Sequence, residues 1–468
     1  MTFLQSILAP LLRPLGFVPV SSANLLTPGP AQDEDDPRLD HQILRHSPTF
    51  PLSVLLLTDS YKLSHPFQYP AAKRYPSTVA TLSRKARTII EQAFEKTCDP
   101  ESMALVPSRL HDFGFRGCTS VEQTIIGGTA HLLNFEGTDN VSAAYFAQYA
   151  LNDGHFAGVS IPATEHSVMT SFETEKAAML HMIETFGSSI FAVVMDSLDY
   201  GRALRELLPA VAEAKVRAGG WLVVRPDSGD IVAVVMDALN IMSKVFGYTI
   251  NTRGFKVITG ASVIHGDGVT LPAISRLLDA MAEAGFAAQN VAFGMGAGLL
   301  QKVNRDELSL ATKLCRVVLP SGAAREVMKS PIDAPGKISL PGSFAVRLDP
   351  TAAAQGVYLP VTHAREEFTG PEGVDDESLA VEGDLLQVVY DCGPVAVQHE
   401  TMAATRVRLS RDWAAAAPVP PASSRPELDG HTPDAIVYQT VSPFLRAKAR
   451  RVRAEQLDRL EAAYTQDA

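Results

Sequence analysis

Cysteine is scarce in this chain. Its 468 residues hold four, Cys98, Cys118, Cys315 and Cys392, widely separated and in no CxxC pair. That spacing excludes a zinc knuckle and a dense disulfide framework. It leaves isolated thiols of a reducing compartment, so a cytoplasmic location is expected. Net positive charge is also missing: 41 Lys and Arg stand against 52 Asp and Glu, a formal charge of -11. A general nucleic-acid partner is disfavoured by that balance, although a few arginines or backbone amides can still hold one phosphate group. No apolar run reaches the roughly 18 residues of a membrane span, so none is expected. Acidic residues are absent from the first 32 positions, where Arg13 is the one basic residue and Pro10, Pro14 and Pro19 interrupt any helix. A targeting peptide would carry more positive charge. The stretch 1–50, ending in the acidic linker DEDDPRLDHQILRHSP, reads as a disordered or loosely packed extension.

What is present is a rhythm. From about residue 155, FAGVSIPA, IFAVVMDS, WLVVRPDSG, SVIHGDG, NVAFGMGAG and CRVVLPSG are short apolar runs that end in Gly, Asp, Ser or Pro. Between most of them lie stretches such as LPAISRLLDAMAEAG, whose apolar residues recur at three and four. Strand, turn and helix repeated in this way point to parallel βα units, with strands covered on both faces. A closed barrel and a doubly wound sheet both fit, and in either a ligand sits beyond the carboxyl ends of the strands. The flanks lack this rhythm. SFAVRL, GVYLPV and LLQVVY suggest short strands, and FLRAKARRVRAEQLDRLEAAY a charged terminal helix with its basic cluster in solvent. The expected fold class is α/β, an irregular parallel α/β barrel over 106–319. A second, strand-rich α+β domain comes from both chain ends, 51–105 and 320–440, followed by a helix over 441–468.

Polar residues gather where the core strands end. Asp196 follows FAVVM, Arg225 and Asp227 follow WLVV, Gly266 and Asp267 follow SVIH, and Gly294 and Gly296 lie in FGMGAG. Each aspartate taken alone could cap the next helix. Aspartates after several neighbouring strands, with an arginine beside one, suggest a site instead. FGMGAGLLQKVNRD places glycines between a strand and a helix, where backbone amides can approach a phosphate. LHDFGFRG sets Phe113 and Phe115 beside Arg116, which suits a flat polar ring with an anionic neighbour. PATEHSVMTSF offers Glu165 next to His166, a candidate base, shuttle or phosphoryl acceptor. No Ser-His-Asp arrangement suggests a hydrolase.

In this order TDSYKLSHPFQYP, LHDFGFRG, LNFEGTDNV, IPATEHSVMTSF, RPDSGD, HGDGV, NVAFGMGAGLLQKVNRD and MKSPIDAP closely resemble the nicotinamide phosphoribosyltransferases, a type II phosphoribosyltransferase family. The resemblance runs from about residue 52 to about 400. It implies homodimers with shared active sites. It also implies transfer of phosphoribose from 5-phosphoribosyl 1-diphosphate to nicotinamide with Mg²⁺, and ATP as a co-substrate acting through a phosphohistidine. By resemblance, Phe113 and Tyr61 of a second subunit sandwich the pyridine ring. Asp139 accepts the carboxamide N–H, Arg225 lies by the carboxamide and Asp227 by the ribose. Asp267 holds ribose hydroxyls, and Gly266, Gly296 and Ala297 cradle the 5′-phosphate. Arg116 and Arg305 meet phosphates. Asp196 stands near the diphosphate and, indirectly, the metal; His166 is the phosphohistidine, and Lys329 reaches the ATP phosphates.

The departures are specific. Met295 replaces a usual serine, Ala297 a usual glycine, and SLPG at 339–342 a basic SKKG string, which bears on ATP coupling. Asp139 favours nicotinamide, because a carboxylate there repels the anion nicotinate. The alternatives are a nicotinate phosphoribosyltransferase and a catalytically silent homologue acting as a binding protein.

Overall fold

A computed structural model describes residues 44–46, 68–304, 313–319, 321–331, 339–370, 380–390, 400–416 and 440–466. At its centre are five strands, β1 (Leu110–Asp112), β2 (Ile190–Val194), β3 (Trp221–Arg225), β4 (Ala261–His265) and β5 (Val291–Met295), in the order β1-β5-β4-β3-β2. Every neighbouring pair is parallel. Their alternation explains the continuous apolar runs. Phe191, Val193, Leu222, Val224, Val263 and Phe293 face outward into the core beneath the helices. Ala192, Val223, Ile264 and Ala292 face inward, joined by Ile161 and Phe113. Both faces of each strand are therefore buried.

The sheet curls, and short bridges outside the named strands continue it around the ring. Asp112 pairs with Thr138, Gly137 with Val159, and Ala163 with Ala192, all in parallel sense. The segment 159–163 thus touches the β1 side through Gly137 and the β2 side directly, giving the irregular barrel. The run FAGVSIPA supplies these bridges rather than a regular strand, since Pro162 has no N–H to donate to a ladder. An antiparallel hairpin, Tyr248–Ile250 with Lys256–Ile258, interrupts the repeat before β4.

One expectation is corrected. Within 51–105, read as strand-rich, residues Gln68–Thr97 form a single α-helix, followed by a 3₁₀ helix over Pro100–Ser108. The helix packs on the helices Val121–His131 and Leu271–Glu283 of the barrel. Val79, Ser83, Ala86, Ile90 and Phe94 are all buried. Their spacing of three and four makes one continuous helical face, while Pro70 and Pro76 read locally as breakers.

The flanks do contain short strands. Phe344–Leu348 pairs antiparallel with Pro360–Ala364, which pairs in parallel with Thr440–Val441. Leu44–His46, within the stretch read as a loose extension, pairs antiparallel with Gln387–Tyr390. CRVVLPSG, read as one of the repeated parallel strands of 106–319, is corrected as well: Arg316–Val318 pairs antiparallel with Ala324–Glu326 and lies outside the five-stranded sheet. A terminal helix spans Pro443–Gln466. Its basic cluster is not wholly solvated: Lys448 is buried between Glu326 and Glu366, tying the helix to the small sheets. None of the helices among the described residues is long and apolar enough to cross a membrane.

Candidate active site

The carboxyl ends of the parallel strands form one mouth, and the polar residues of the sequence motifs meet there. At the end of β3 the Arg225 guanidinium grips Asp227 Oδ1 through Nε and Nη2, at 3.2 and 2.9 Å. Asp227 Oδ2 faces His166 Nε2 at 3.3 Å. Beyond β2, Asp196 Oδ2 accepts the Asp227 backbone N–H at 3.0 Å and the Ser228 hydroxyl at 2.5 Å. Its other oxygen, Oδ1, is buried with no hydrogen-bond partner and lies 3.9 Å from His166 Nδ1. Ser197 Oγ completes the surroundings of His166 at 3.2 Å from Nδ1. Two carboxylates and one imidazole thus share a half-buried corner.

The alternative role of these aspartates, as helix caps, falls to other residues. The helix Ile231–Val245 is capped by Asp230, the turn at Tyr200–Arg202 by Asp199, and Leu271–Glu283 by Thr270. The helix Val141–Leu151 is capped by Asn140, not Asp139. Asp196, Asp227, Asp267 and Asp139 cap none of these helices. Glu165 also differs from expectation. It caps the short helix His166–Ser171 by accepting from Ser167, so the carboxylates that meet His166 are those of Asp227 and Asp196.

Phe113 stands at the centre of the mouth. Its N–H donates to Met295 O at 3.0 Å, and the Arg225 guanidinium lies 5.3 Å from its ring centre. Two glycines leave room for the ring. A Cβ at Gly294 would sit 2.1 Å from Cε2, and one at Gly266 would sit 3.0 Å from the same atom and 3.1 Å from Asp227 Oδ1. Gly296 passes beside the Phe113 carbonyl. Arg116 is exposed on the turn Phe115–Gly117, and a hydrogen bond from Gln301 to Gly114 O, 3.2 Å long, ties the start of that turn to the residue after the helix Ala297–Leu300. The methyl group of Ala297 is accommodated, because the one positive φ outside glycine among the described residues is at Asp153. Met295 turns its side chain outward into the core, 1% exposed, and offers the mouth no polar group.

Asp139 lies one bridge further round the ring. It is exposed, accepts the Ser160 hydroxyl at 2.5 Å, and hangs from Asp112 O through its own N–H at 3.0 Å. His111 lies beneath it, its ring 6.3 Å from that of Phe113. Burial pushes the His111 imidazole below its ordinary range, and the charge of Asp139 works against that shift. Asp267 is exposed beside Gly266, and its carbonyl meets His265 Nε2 at 2.9 Å. Burial lowers the His265 pKa as well.

The motif residues do not all converge. The hydrogen bonds described at Lys329 run to Ser339, at 2.9 Å, in the flank rather than the barrel. That flank carries its own cleft of about 470 Å³, whose lining includes Arg325, Met328, Ser330, Arg453 and Leu457, none of them a mouth residue. Tyr61 and Arg305 lie outside the described residues. Sequence reasoning missed Ser160 and His111 as members of the mouth. Ser160 is 21 positions from Asp139, so tertiary structure alone joins them. Gly294 did carry a signal, a glycine inside an apolar strand, which marks close approach of another group.

Comparison with known proteins gives one matching family model, described as the nicotinate phosphoribosyltransferase (NAPRTase) family, over residues 108–366. A nicotinamide phosphoribosyltransferase of Xanthomonas campestris pv. campestris (strain 8004) is 43% identical over 281 residues, 59% of this chain and 59% of the relative. One from Acinetobacter baylyi is 32% identical over 279 residues, 55% of each chain. One from Mycoplasma pneumoniae is 28% identical over 283 residues, 57% of this chain and 60% of the relative. The chain thus spans about three-fifths of the length of the curated relatives it matches.

Proposed function

The chain belongs to the nicotinate phosphoribosyltransferase (NAPRTase) family, and from that premise we propose that it joins nicotinamide to 5-phosphoribosyl 1-diphosphate, releasing diphosphate and nicotinamide mononucleotide. The observation that carries this reading is the disposition of Phe113, Arg225, Asp227 and Asp139 around one barrel mouth. Phe113 offers a ring face held from below by two glycines, the geometry a flat pyridine needs. Arg225, fixed by Asp227, presents donors to a carbonyl oxygen. Asp139 is an acceptor that suits an amide N–H and repels a carboxylate, which selects nicotinamide over nicotinate. The names of the relatives from Xanthomonas, Acinetobacter and Mycoplasma agree with that choice.

Bond cleavage at the anomeric carbon leaves positive charge on the ribose. Asp227 and Asp267 stand where ribose would lie and favour that charge. Gly266, Gly296 and Ala297 offer backbone amides to the 5′-phosphate, with Arg116 at the rim. The pyridine nitrogen attacks without losing a proton, so rate comes from positioning more than from a general base. The buried, unpartnered Asp196 Oδ1 fits an outer role towards Mg²⁺: with Asp227 it would hold the ion by way of the bound diphosphate. Bound there, Mg²⁺ would neutralise charge developing on the departing diphosphate. No group of three or more His, Cys, Asp or Glu that could hold a metal by itself occurs among the described residues. His166 is the acceptor for ATP-dependent phosphorylation, with Asp227 positioned to orient its ring. Tyr61 and Arg305 serve the site of the second subunit in a homodimer.

The purified chain, given Mg²⁺ and phosphoribosyl diphosphate with nicotinamide or nicotinate, each with and without ATP, tests this. Nicotinamide mononucleotide is expected. Product from nicotinate alone would overturn the substrate assignment, and no product from either would overturn the activity.

A further inference from the structure

Asp112 is a charged residue with no place in the reaction above. It ends β1, is 0% exposed, and among the described residues pairs with no cation. Its two oxygens are instead taken by neutral donors: the Gly114 N–H at 2.7 Å and Asn140 Nδ2 at 2.9 Å. Its carbonyl accepts the Asp139 N–H at 3.0 Å, and its N–H donates to Gly137 O at 3.2 Å. Four hydrogen bonds from one residue therefore reach two separate pieces of the mouth. One is the turn that begins at Phe113 and carries Arg116. The other is the loop 137–140 that carries Asp139.

The partner is equally committed. Asn140, also 0% exposed, uses Nδ2 on Asp112 and on Thr124 O at 3.0 Å, while its Oδ1 caps the helix Val141–Leu151 at the Ala143 N–H, 3.2 Å away. Gly128 makes space for the pair: a Cβ there would fall 2.8 Å from Asp112 Oδ2 and 2.5 Å from Asn140 Nδ2. A buried carboxylate without a cation costs stability, and burial raises the Asp112 pKa to about 6. A neutral hydrogen-bonding residue would close a mere turn without that cost. Only a group accepting on both oxygens satisfies the Gly114 N–H and the Asn140 amide together.

We propose that Asp112 is a positioning residue that fixes the separation between Phe113 and Asp139, and so sets both the affinity for the pyridine substrate and the preference for its amide form. This rests on the transferase reading for its functional consequence, though not for its structural one. In Asp112→Asn one oxygen still accepts from Gly114, but the new NH₂ faces the NH₂ of Asn140, donor against donor. The reciprocal pair Asp112→Asn with Asn140→Asp restores a donor opposite an acceptor and keeps the helix cap, at the cost of the donations to Thr124 O and Oγ1 and of a carboxylate oxygen set against the Thr124 carbonyl.

Two measurements test it. In steady-state kinetics, Asp112→Asn is expected to raise KM for nicotinamide on the order of ten- to a hundredfold, the range for a hydrogen bond to a charged group. The nicotinamide-to-nicotinate preference falls with it, and the double variant recovers most of both. A merely structural role would reduce the active fraction, leaving KM and preference unchanged, and that outcome overturns the proposal. In hydrogen–deuterium exchange, the segments 113–117 and 137–141 are expected to speed up together in Asp112→Asn and to recover in the double variant, with Trp221–Arg225 unchanged. Faster exchange throughout the chain, or in neither segment, overturns it. If the unaltered chain made no product, the transferase reading would fail while the exchange result still decided whether Asp112 holds the two loops.

Discussion

Replacing Gly294 by alanine probes how the mouth holds its aromatic face. The added Cβ would lie 2.1, 2.3 and 2.6 Å from Cε2, Cδ2 and Cζ of Phe113. Carbon atoms rest comfortably from about 3.5 Å, so one partner must retreat by more than about 1 Å. Gly294 cannot supply that movement, because β5 is paired with β1 at His111 and with β4 through the adjacent Phe293. The Phe113 ring moves instead, out of its place 5.3 Å from the Arg225 guanidinium. Displacement of a positioning group by that distance costs on the order of a hundredfold in rate. Gly266→Ala grades the effect: its Cβ would stand 3.0 Å from the ring and 3.1 Å from Asp227 Oδ1, so a few tenths of an ångström suffice. Steady-state kinetics with nicotinamide should show kcat/KM lower by about a hundredfold for Gly294→Ala and by less than about tenfold for Gly266→Ala. Thermal unfolding identifies folded protein, since overpacking itself costs about 1–3 kcal/mol. A folded Gly294→Ala variant with unaltered kcat/KM for nicotinamide would refute the placement of the pyridine on Phe113.

Other expectations follow from single contacts. Asp139→Ser should lose nicotinamide turnover by about ten- to a hundredfold more than any change with nicotinate, as expected when a charged hydrogen-bond partner is removed; parallel assays with the two substrates check it. His166→Ala should abolish the ATP-dependent gain while ATP-independent transfer persists, read as product formed with and without ATP. Arg225→Lys should raise KM for nicotinamide, because an ammonium cannot reproduce the two-nitrogen grip on Asp227. For Asp112 the folded pKa, about 6, exceeds the ordinary 3.8. The folded state therefore binds the proton more tightly, and stability from this group falls as pH rises between those values. Denaturant unfolding at pH 7.5 and pH 4 should show Asp112→Asn losing relative stability against the unaltered chain towards the lower pH, by on the order of 2–3 kcal/mol.

Much of this arrangement was legible in the sequence because local chemistry dictated it. The apolar runs Ile190–Val194, Trp221–Arg225, Ala261–His265 and Val291–Met295 announce themselves as doubly covered strands, and the polar residues at their ends mark the mouth. The helix Gln68–Thr97 was not legible, since Pro70 and Pro76 dominate a local reading while its apolar face is decided by packing on the barrel. Of the barrel closure, the run FAGVSIPA stood out as apolar, but its pairing with Gly137 and Ala192 was hidden, because isolated bridges leave no periodic pattern. Asp112 and Asn140 sit 28 positions apart, each plausible as a turn residue, and only the folded chain shows that they meet.

Hydrogen–deuterium exchange of the purified chain with and without saturating nicotinamide mononucleotide tests the shared mouth most directly. The account predicts simultaneous protection of 113–117, 137–140, 225–229, 265–268 and 294–298. Protection confined to the flank, around Arg325 and Arg453, would contradict it.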